Sequence, residues 1–290
     1  MNDAIIQVQH LTHLYAANQA AALRRPALVD INLEIARGSC AAIIGVTGSG
    51  KSTLVQHFNG LLLPTSGSVF VDGIEVGASS AELLKLRQRV GLLFQFPEAQ
   101  LFEKTVYADV AFGPQRLHLS RTEVRKRVLS ALTSVGLPYT KYAQRSPFEL
   151  SGGQRRRIAL AGVLAMQPTI LVLDEPGVGL DAEGREEFYT HIHALKQQGI
   201  TVILVSHDMA EVASLADQLF VLHQGQLVMQ GIPRDIFAQA TLLHDYGLAP
   251  PPLSTLLTLL RQRGLGVPIE ITTVEATFRF LTCNQSFKDR

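Results

Sequence analysis

Residues 45–53 read GVTGSGKST (Gly45, Val46, Thr47, Gly48, Ser49, Gly50, Lys51, Ser52, Thr53) and follow the apolar run AAII. They fit G-x-x-x-x-G-K-[ST], with Gly45, Gly50, Lys51 and Ser52 in the fixed positions. Glycines are needed there because backbone N–H groups must approach the β- and γ-phosphates of a nucleotide without side chains intervening. Lys51 adds a mobile positive charge. Ser52 can place its hydroxyl on Mg²⁺, with Thr53 beside it at the start of a helix. A glycine-rich turn before any helix could look similar, but this loop lies between an apolar strand and a helix, the context the pattern requires. Such a loop alone identifies a nucleotide binder. LSGGQ (Leu150 to Gln154), ILVLDEP (Ile170 to Pro176) and His207 follow it in that order.

The bulk properties narrow the setting. At 290 residues and 47% hydrophobic, the chain can bury one large core plus an appendage. A net charge of +1 gives no overall field for nucleic acid or an anionic membrane surface. There are two cysteines, Cys40 and Cys283. Cys40, within SCAAIIGV, reads as a buried thiol, which points to a reducing compartment rather than a disulfide framework. The opening MNDAIIQVQH lacks the basic start and apolar core of a signal peptide. No stretch approaches the ~18 apolar residues of a spanning helix. The expectation is a soluble, cytoplasmic chain with any membrane role peripheral, through a partner.

Alternating strands and helices surround the loop. AAII, closed by a glycine, is expected to be a strand buried on both faces. LVDINLEI alternates, with Leu28, Ile31, Leu33 and Ile35 set against charged or amide residues. The opening segment is strand-like, and Ala16 to Arg25 is expected as an exposed loop between two edge strands. A helix is predicted from Lys51 to about Leu62, stopped by Pro64, Thr65, Ser66 and Gly67. SVFVDG reads as a strand turning at Asp72-Gly73. From about Ala78 to Ala165 the chain is mainly helical. There Ser120 and Glu123 suggest a capping box, Val124, Val128, Leu132 and Val135 share a face, and Gly136 is the stop. TILVLDE, a helix over Ala182 to Gln197, and GITVILVSH then imply a parallel sheet covered on both sides. LFVLHQGQLVMQG reads as a hairpin turning near Gln224-Gly225. Beyond about Ala240, APPPLSTLLTLLRQRG opens a tail of different texture.

Several residues carry chemistry. ILVLDEP puts Asp174 and Glu175 at the C-terminal end of a parallel strand, where open α/β sheets bind ligands. Asp174 is expected to hold Mg²⁺ through its water shell, and Glu175 to polarise the attacking water as a general base. Ser151 is a good N-cap, so the N–H groups of Gly152, Gly153 and Gln154 would face outward as an anion site. Arg155, Arg156 and Arg157 occupy the first turn, where the helix dipole disfavours cations, a placement that nearby polyphosphate would explain. His207 follows TVILVS and so lies on the same sheet edge as Glu175. Gln95, in GLLFQFPEAQLF, reads as a buried amide whose partners would be Mg²⁺ and the attacking water. Tyr15 could stack on adenine or be an ordinary strand aromatic.

From about Ala4 to Gly231 these residues together resemble the ATP-binding cassette family. The Lys51 loop looks like Walker A, Gln95 like the Q-loop, and Leu150 to Gln154 like the signature motif. Asp174 and Glu175 look like Walker B with its catalytic acid, Asp181 in GVGLD like the D-loop aspartate, and His207 like the switch histidine. GVGLD lacks the more usual Ser/Thr-Ala before Leu-Asp. The resemblance implies an α/β fold: a P-loop cassette over 1–240 with a RecA-like core, an antiparallel β subdomain and a helical subdomain over about 96–165. A small C-terminal extension, 241–290, would be a dimerisation element. ATP and Mg²⁺ are the implied cofactors. In that family two cassettes pair head to tail, so Ser151 and Gly153 of one chain contact the γ-phosphate held by the other.

FQFPEAQLFEKTVYADVAFGP, the extended loop after Tyr15 and the tail narrow the resemblance to ATPases of energy-coupling factor (ECF) importers, related to cobalt-uptake ATPases. This implies ATP-driven uptake of vitamins or transition-metal ions, with the chain peripheral at the cytoplasmic face of the cell membrane. The implied partners are a second, distinct cassette subunit, a transmembrane coupling subunit and a substrate-binding membrane subunit, with no nucleic acid. A groove beside the Q-loop would receive coupling helices, with Glu98, Glu103 and Asp109 meeting basic residues there. Two alternatives stay open: the cassette of another importer or an exporter, and a soluble cassette protein acting on DNA or ribosomes. Proteins of the latter kind usually carry coiled-coil or zinc insertions, or two cassettes, none of which this sequence has.

Overall fold

The run before the phosphate loop, Cys40–Ile44, is a strand with every residue buried. From Ala41 on, its side chains alternate between two cores, Ala41 and Ile43 in one and Ala42 and Ile44 in another, while Cys40 joins a third. The computed structural model describes residues 3–15, 26–264 and 274–283. In chain order they form β1 (Ala4–His13), β2 (Leu28–Ala36), β3 (Cys40–Ile44), α1 (Lys51–Phe58), β4 (Ser66–Val71), β5 (Ile74–Glu75), α2 (Ser80–Arg89) and β6 (Val90–Leu93). Then come α3 (Val106–Arg116), α4 (Arg121–Ser134), α5 (Tyr139–Tyr142), α6 (Gly152–Leu164), β7 (Ile170–Asp174), α7 (Ala182–Gln197) and β8 (Thr201–Val205). The chain closes with α8 (Met209–Leu215), β9 (Gln218–His223), β10 (Gln226–Gly231), α9 (Pro233–Phe237), α10 (Ala240–Asp245), α11 (Pro252–Gln262) and α12 (Val274–Cys283).

Two sheets result. The larger has six strands in the order β10-β9-β3-β8-β7-β6. All but β10 run parallel, so β3, β6, β7 and β8 deliver their C-terminal ends to one edge. β10 returns antiparallel through Gln224 and Gly225, whose φ values of 48° and 79° suit a tight hairpin turn. The smaller sheet, β2-β1-β4-β5, is antiparallel and shares an apolar core with α1 and the larger sheet. Helices α3, α4 and α6 pack Val110, Val128 and Ile158 into another core with α7. This is the expected α/β architecture: a parallel core, an antiparallel sheet and a helical region.

The structure corrects several local expectations. β2 is an edge strand, but β1 lies inside its sheet between β2 and β4; the loop 16–25 falls outside the described residues. α1 stops at Phe58, short of Leu62, because Gly60 enters the left-handed region (φ 66°) and turns its N–H to the His57 carbonyl. The mainly helical stretch contains β6, a parallel edge strand on β7. Ser120 accepts from the Glu123 amide at 3.2 Å, but the Glu123 carboxylate bonds Arg127 at 3.1 Å, so only half of the capping box forms. Leu243 and Leu248 lie in one core with Ala42, Ile44 and Val221, which carries the main body's packing past the expected change at 240.

Burial also sets two titrations. It pushes the Cys40 thiol up to about 12, so Cys40 is an unreactive core residue. His57 on α1 is fully buried, and burial pushes its pKa down to about 4, with His13 next to it opposing protonation as well. Between about 4 and the ordinary 6.5 the unfolded chain takes up a proton that the folded chain refuses. Stability therefore rises with pH across that window and is lost as pH falls through it. Denaturant titrations should show a loss on the order of 3 kcal/mol from pH 7 to pH 4 attributable to this residue, and His57→Gln should flatten that part of the profile. An unchanged profile in the variant would remove His57 as the cause.

Candidate functional site

The phosphate loop begins where β3 ends. A Cβ on Gly45 would stand 2.3 Å from the Leu222 carbonyl oxygen and 2.5 Å from Ser49 Oγ, so no other residue lets the loop turn against β9. Gly50, at φ 104°, is the N-cap of α1 and presents the helix's first amides beside those of the loop. Thr47 and Gly48 form an exposed tip, while Ser49 is buried. Lys51 crosses its own loop, its Nζ donating to the carbonyls of Gly45 (2.8 Å) and Val46 (3.2 Å). Burial lowers the Lys51 pKa, against the opposing charges of Glu175 and Asp174.

Asp174 ends β7 and is buried; burial raises its carboxyl pKa while a hydrogen bond from Ser52 works the other way. Its Oδ1 is buried without a hydrogen-bond partner. A hydroxyl next to a carboxylate with one unsatisfied buried oxygen is a donor set that fits a hard divalent cation. Glu175 follows at φ 52°, the left-handed region that costs a non-glycine residue energy and concentrates at functional sites. Its amide donates to the Val205 carbonyl at 2.9 Å, which fixes it across to β8. His207, just beyond β8, donates from Nδ1 to Glu175 Oε2 at 2.5 Å. Because the carboxylate can only accept, Nδ1 carries the proton.

Sequence reasoning did not single out what braces His207. Buried Glu211 on α8 accepts at Oε2 from Ser206 Oγ (3.1 Å) and from the Tyr189 hydroxyl. Arg185 of α7 reaches Asp208 at 2.9 Å and Glu211 at 3.5 Å. The one sequence signal was the acid-rich spacing of Asp208 and Glu211 after the histidine. Burial raises the Glu211 carboxyl pKa.

Gln95 departs from expectation: it is exposed, not buried. β6 is the outermost strand, and Phe96 turns the chain away at φ 55° before Pro97. The three arginines also serve a different purpose than expected. Arg156 is buried and donates to the Pro176 carbonyl (2.8 Å) and Glu98 (3.4 Å). Arg157 pairs with Glu187, and Arg155 donates to the Leu150 carbonyl at 3.3 Å. These internal partners, not a polyphosphate, explain cations in the first turn of α6.

Ser151 caps α6 with a complete capping box: its hydroxyl accepts from the Gln154 amide and the Gln154 side chain accepts from the Ser151 amide. The Gln154 N–H expected to face outward is therefore taken, which leaves those of Gly152 and Gly153. A Cβ on either glycine would meet nothing within 4 Å. Ser151, Gly152, Gly153 and Gln154 line a cleft of 410 Å³ with Asp181, the N-cap of α7, whose carboxylate accepts from Gly184 at 2.9 Å. No residue of the phosphate loop lines that cleft.

Tyr15 is 49% exposed and hydrogen-bonds Thr53 Oγ1 at 3.0 Å. Beside β6 a groove of 280 Å³ is lined by Leu92, Leu101, Phe102, Phe112, Val163 and Met166, among others. Phe102 and Phe112 are exposed and meet edge to face at 5.0 Å. Of the three acids expected there, Asp109 lines the groove and accepts from the Glu103 amide at 2.9 Å, while Glu98 pairs with Arg156. The rest of the lining is chiefly apolar and aromatic, with Arg87 and Gln100 as further polar residues.

Residues 28–178 match the ABC transporter family. The chain is 46% identical over 271 residues to the energy-coupling factor transporter ATP-binding protein EcfA2 of Clostridium tetani, covering 93% of each. It is 48% identical over 271 residues to the EcfA2 of Symbiobacterium thermophilum, again 93% of each. Among solved structures, cbiO1 from Clostridium perfringens, part of the ABC transporter complex cbiONQ, matches with a TM-score of 0.74 and 38% identity over 88% of this chain and 99% of that one. The ATP-binding cassette MJ0796, solved as a dimer in a post-hydrolysis state with ADP and Pi, matches with a TM-score of 0.69 and 30% identity over 79% and 98%.

Proposed function

The chain belongs to the ABC transporter family, and from that membership we propose that it is the ATP-hydrolysing subunit of an ECF importer in which each ATP is enclosed by two cassettes. ATP binding and hydrolysis coupled to transport are the activity of the family. The observation that carries the two-chain reading is the separation of Ser151, Gly152, Gly153 and Asp181 from the phosphate loop. Two glycines whose Cβ positions are open have no internal packing reason to be glycine. Space kept at a helix N-terminus suits a phosphate brought by a partner chain.

In this reading the amides of residues 45–53 and Lys51 bind the phosphates. Ser52 and Asp174 would hold Mg²⁺, which supplies charge neutralisation on the phosphate oxygens when bound. Glu175 takes the proton of the attacking water, and His207 orients that carboxylate through its Nδ1–H. Gln95, exposed at the sheet edge, serves as the contact between the nucleotide site and the membrane partner rather than as a preformed ligand. The apolar groove beside it is where coupling helices of a transmembrane subunit would seat, with Phe102 and Phe112 as anchors. No helix among the described residues is long and apolar enough to cross a membrane. Vitamins or transition-metal ions are the proposed cargo class, selected by a separate membrane subunit, and the part of 241–290 beyond Leu248 is the proposed dimerisation element.

Co-purification tests the assembly. The tagged chain, expressed with its chromosomal neighbours and extracted from membranes in detergent, should bring a second cassette ATPase and a multi-spanning protein. Recovery with ribosomes or DNA instead, or alone, would refute the importer reading and leave the ATPase.

A further inference from the structure

Two buried histidines lie behind the phosphate loop and have no part in the mechanism above. His13 ends β1, two residues before Tyr15; His57 lies on α1, four residues after Thr53. His57 Nδ1 is 2.8 Å from the Thr53 carbonyl oxygen, and its Nε2 is 3.1 Å from His13 Nδ1, which is also 3.1 Å from the Leu63 carbonyl. Carbonyl oxygens only accept, so both rings carry their proton on Nδ1 and His57 Nε2 is the acceptor from His13. The His13 ring then meets the Tyr15 ring edge on at 4.8 Å, and the Tyr15 hydroxyl returns to Thr53 Oγ1 at 3.0 Å. Thr53, His57, His13 and Tyr15 thus form a closed circuit that begins and ends on one residue of the phosphate loop.

From this we infer that His13 and His57 are positioning residues for the adenine end of the nucleotide: they hold the Tyr15 ring at a fixed place relative to the helix that binds the phosphates. The inference rests on one of the two readings the sequence leaves open for Tyr15, that its ring stacks on the adenine of ATP. Tyr15 hangs from β1, in the antiparallel sheet, while the phosphates are bound by α1 and the larger sheet. Its outer surface is open, and residues 16–25, which follow it, lie outside the described structure. The histidine pair is the buried, directional link between the two. A ring preset at the right separation need not be ordered when ATP binds, which is where affinity is gained.

The test measures binding of ATP and of inorganic tripolyphosphate, which has no base, to the purified full chain by titration calorimetry. Tyr15→Ala and His57→Leu should each weaken ATP, the latter by roughly 3- to 10-fold, the size of one net hydrogen bond. Tripolyphosphate affinity should stay put, and the double variant should bind ATP no more weakly than Tyr15→Ala. His57→Gln, which keeps an acceptor near Nε2, should restore ATP affinity. If His57→Leu does not fold, His13→Phe carries the same test, since it keeps a ring against Tyr15 and removes only the donor. Should Tyr15→Ala weaken ATP while neither histidine variant does, the pair is packing alone and the inference falls, with the Tyr15 reading intact. Equal weakening of tripolyphosphate would also overturn it, because the pair would then act on the phosphate loop. No effect of Tyr15→Ala on ATP would remove the platform reading, and the inference with it.

Discussion

Glu175→Gln is expected to lower ATP turnover of the assembled complex by ~10²–10⁴-fold, the usual contribution of a positioned base, with ATP binding retained. That range corresponds to roughly 3–5 kcal/mol of barrier. The geometry makes the variant a clean one. The backbone of residue 175 is pinned by the Val205 carbonyl and keeps its left-handed conformation. The His207 Nδ1–H that now donates to Glu175 Oε2 can donate equally to an amide oxygen. Shape and hydrogen bonding survive, while proton affinity and one negative charge near Lys51 are lost. Lys51, Ser52 and the loop amides keep their places and only the charge of Glu175 is withdrawn from Lys51, so ATP should bind at least as tightly as to the wild type. Turnover within a few-fold of wild type would show that the water is activated elsewhere.

The second large effect is expected from Gly153→Asp. The chain itself has room for a side chain at that position, so melting temperature and the ATP affinity of the isolated chain should not change. In the closed pair, however, the new carboxylate would stand at the helix N-terminus where the opposite chain's γ-phosphate is proposed to sit. Replacing an anion-binding amide surface with a like charge should cost that ATP site at least ~10²-fold in turnover, the scale of losing one oxyanion donor. The same substitution made in the phosphate loop would abolish binding in the chain that carries it. A variant that folds, binds ATP and fails to hydrolyse it is thus the specific signature of a site completed by a partner. Normal turnover in Gly153→Asp would argue that the cleft beside Asp181 has no part in catalysis.

Much of this was legible in the sequence because burial on both faces leaves a distinctive trace. AAII, ILVL and VILV are continuous apolar runs, and each ends at a chemically loaded residue: Gly45, Asp174 and, after Ser206, His207. The bounds of α7 were readable because Asp181 is its N-cap and Gly199 turns the chain just beyond it. What could not be read depends on contacts between distant residues. The exposure of Gln95 follows from β6 being the outermost strand, which local pattern does not encode. Arg156 looked like a phosphate contact because its carboxylate, Glu98, stands 58 residues away. His13 and His57, 44 apart, show no periodicity that would join them. The continuation of the core through Leu243 and Leu248 was masked by the proline-rich texture that follows.

The central claim, that one chain carries only part of an active site, is tested most directly by comparing steady-state ATP hydrolysis of the wild-type chain held monomeric with that of the same chain assembled with its second cassette. Light scattering would fix the state in each case. The predicted result is turnover per chain at least ~10²-fold higher in the assembly, since each hydrolytic centre then gains a helix N-terminus from the opposite cassette, the surface that Gly152 and Gly153 offer in this chain. A monomer that hydrolyses ATP as fast as the assembly would contradict the claim.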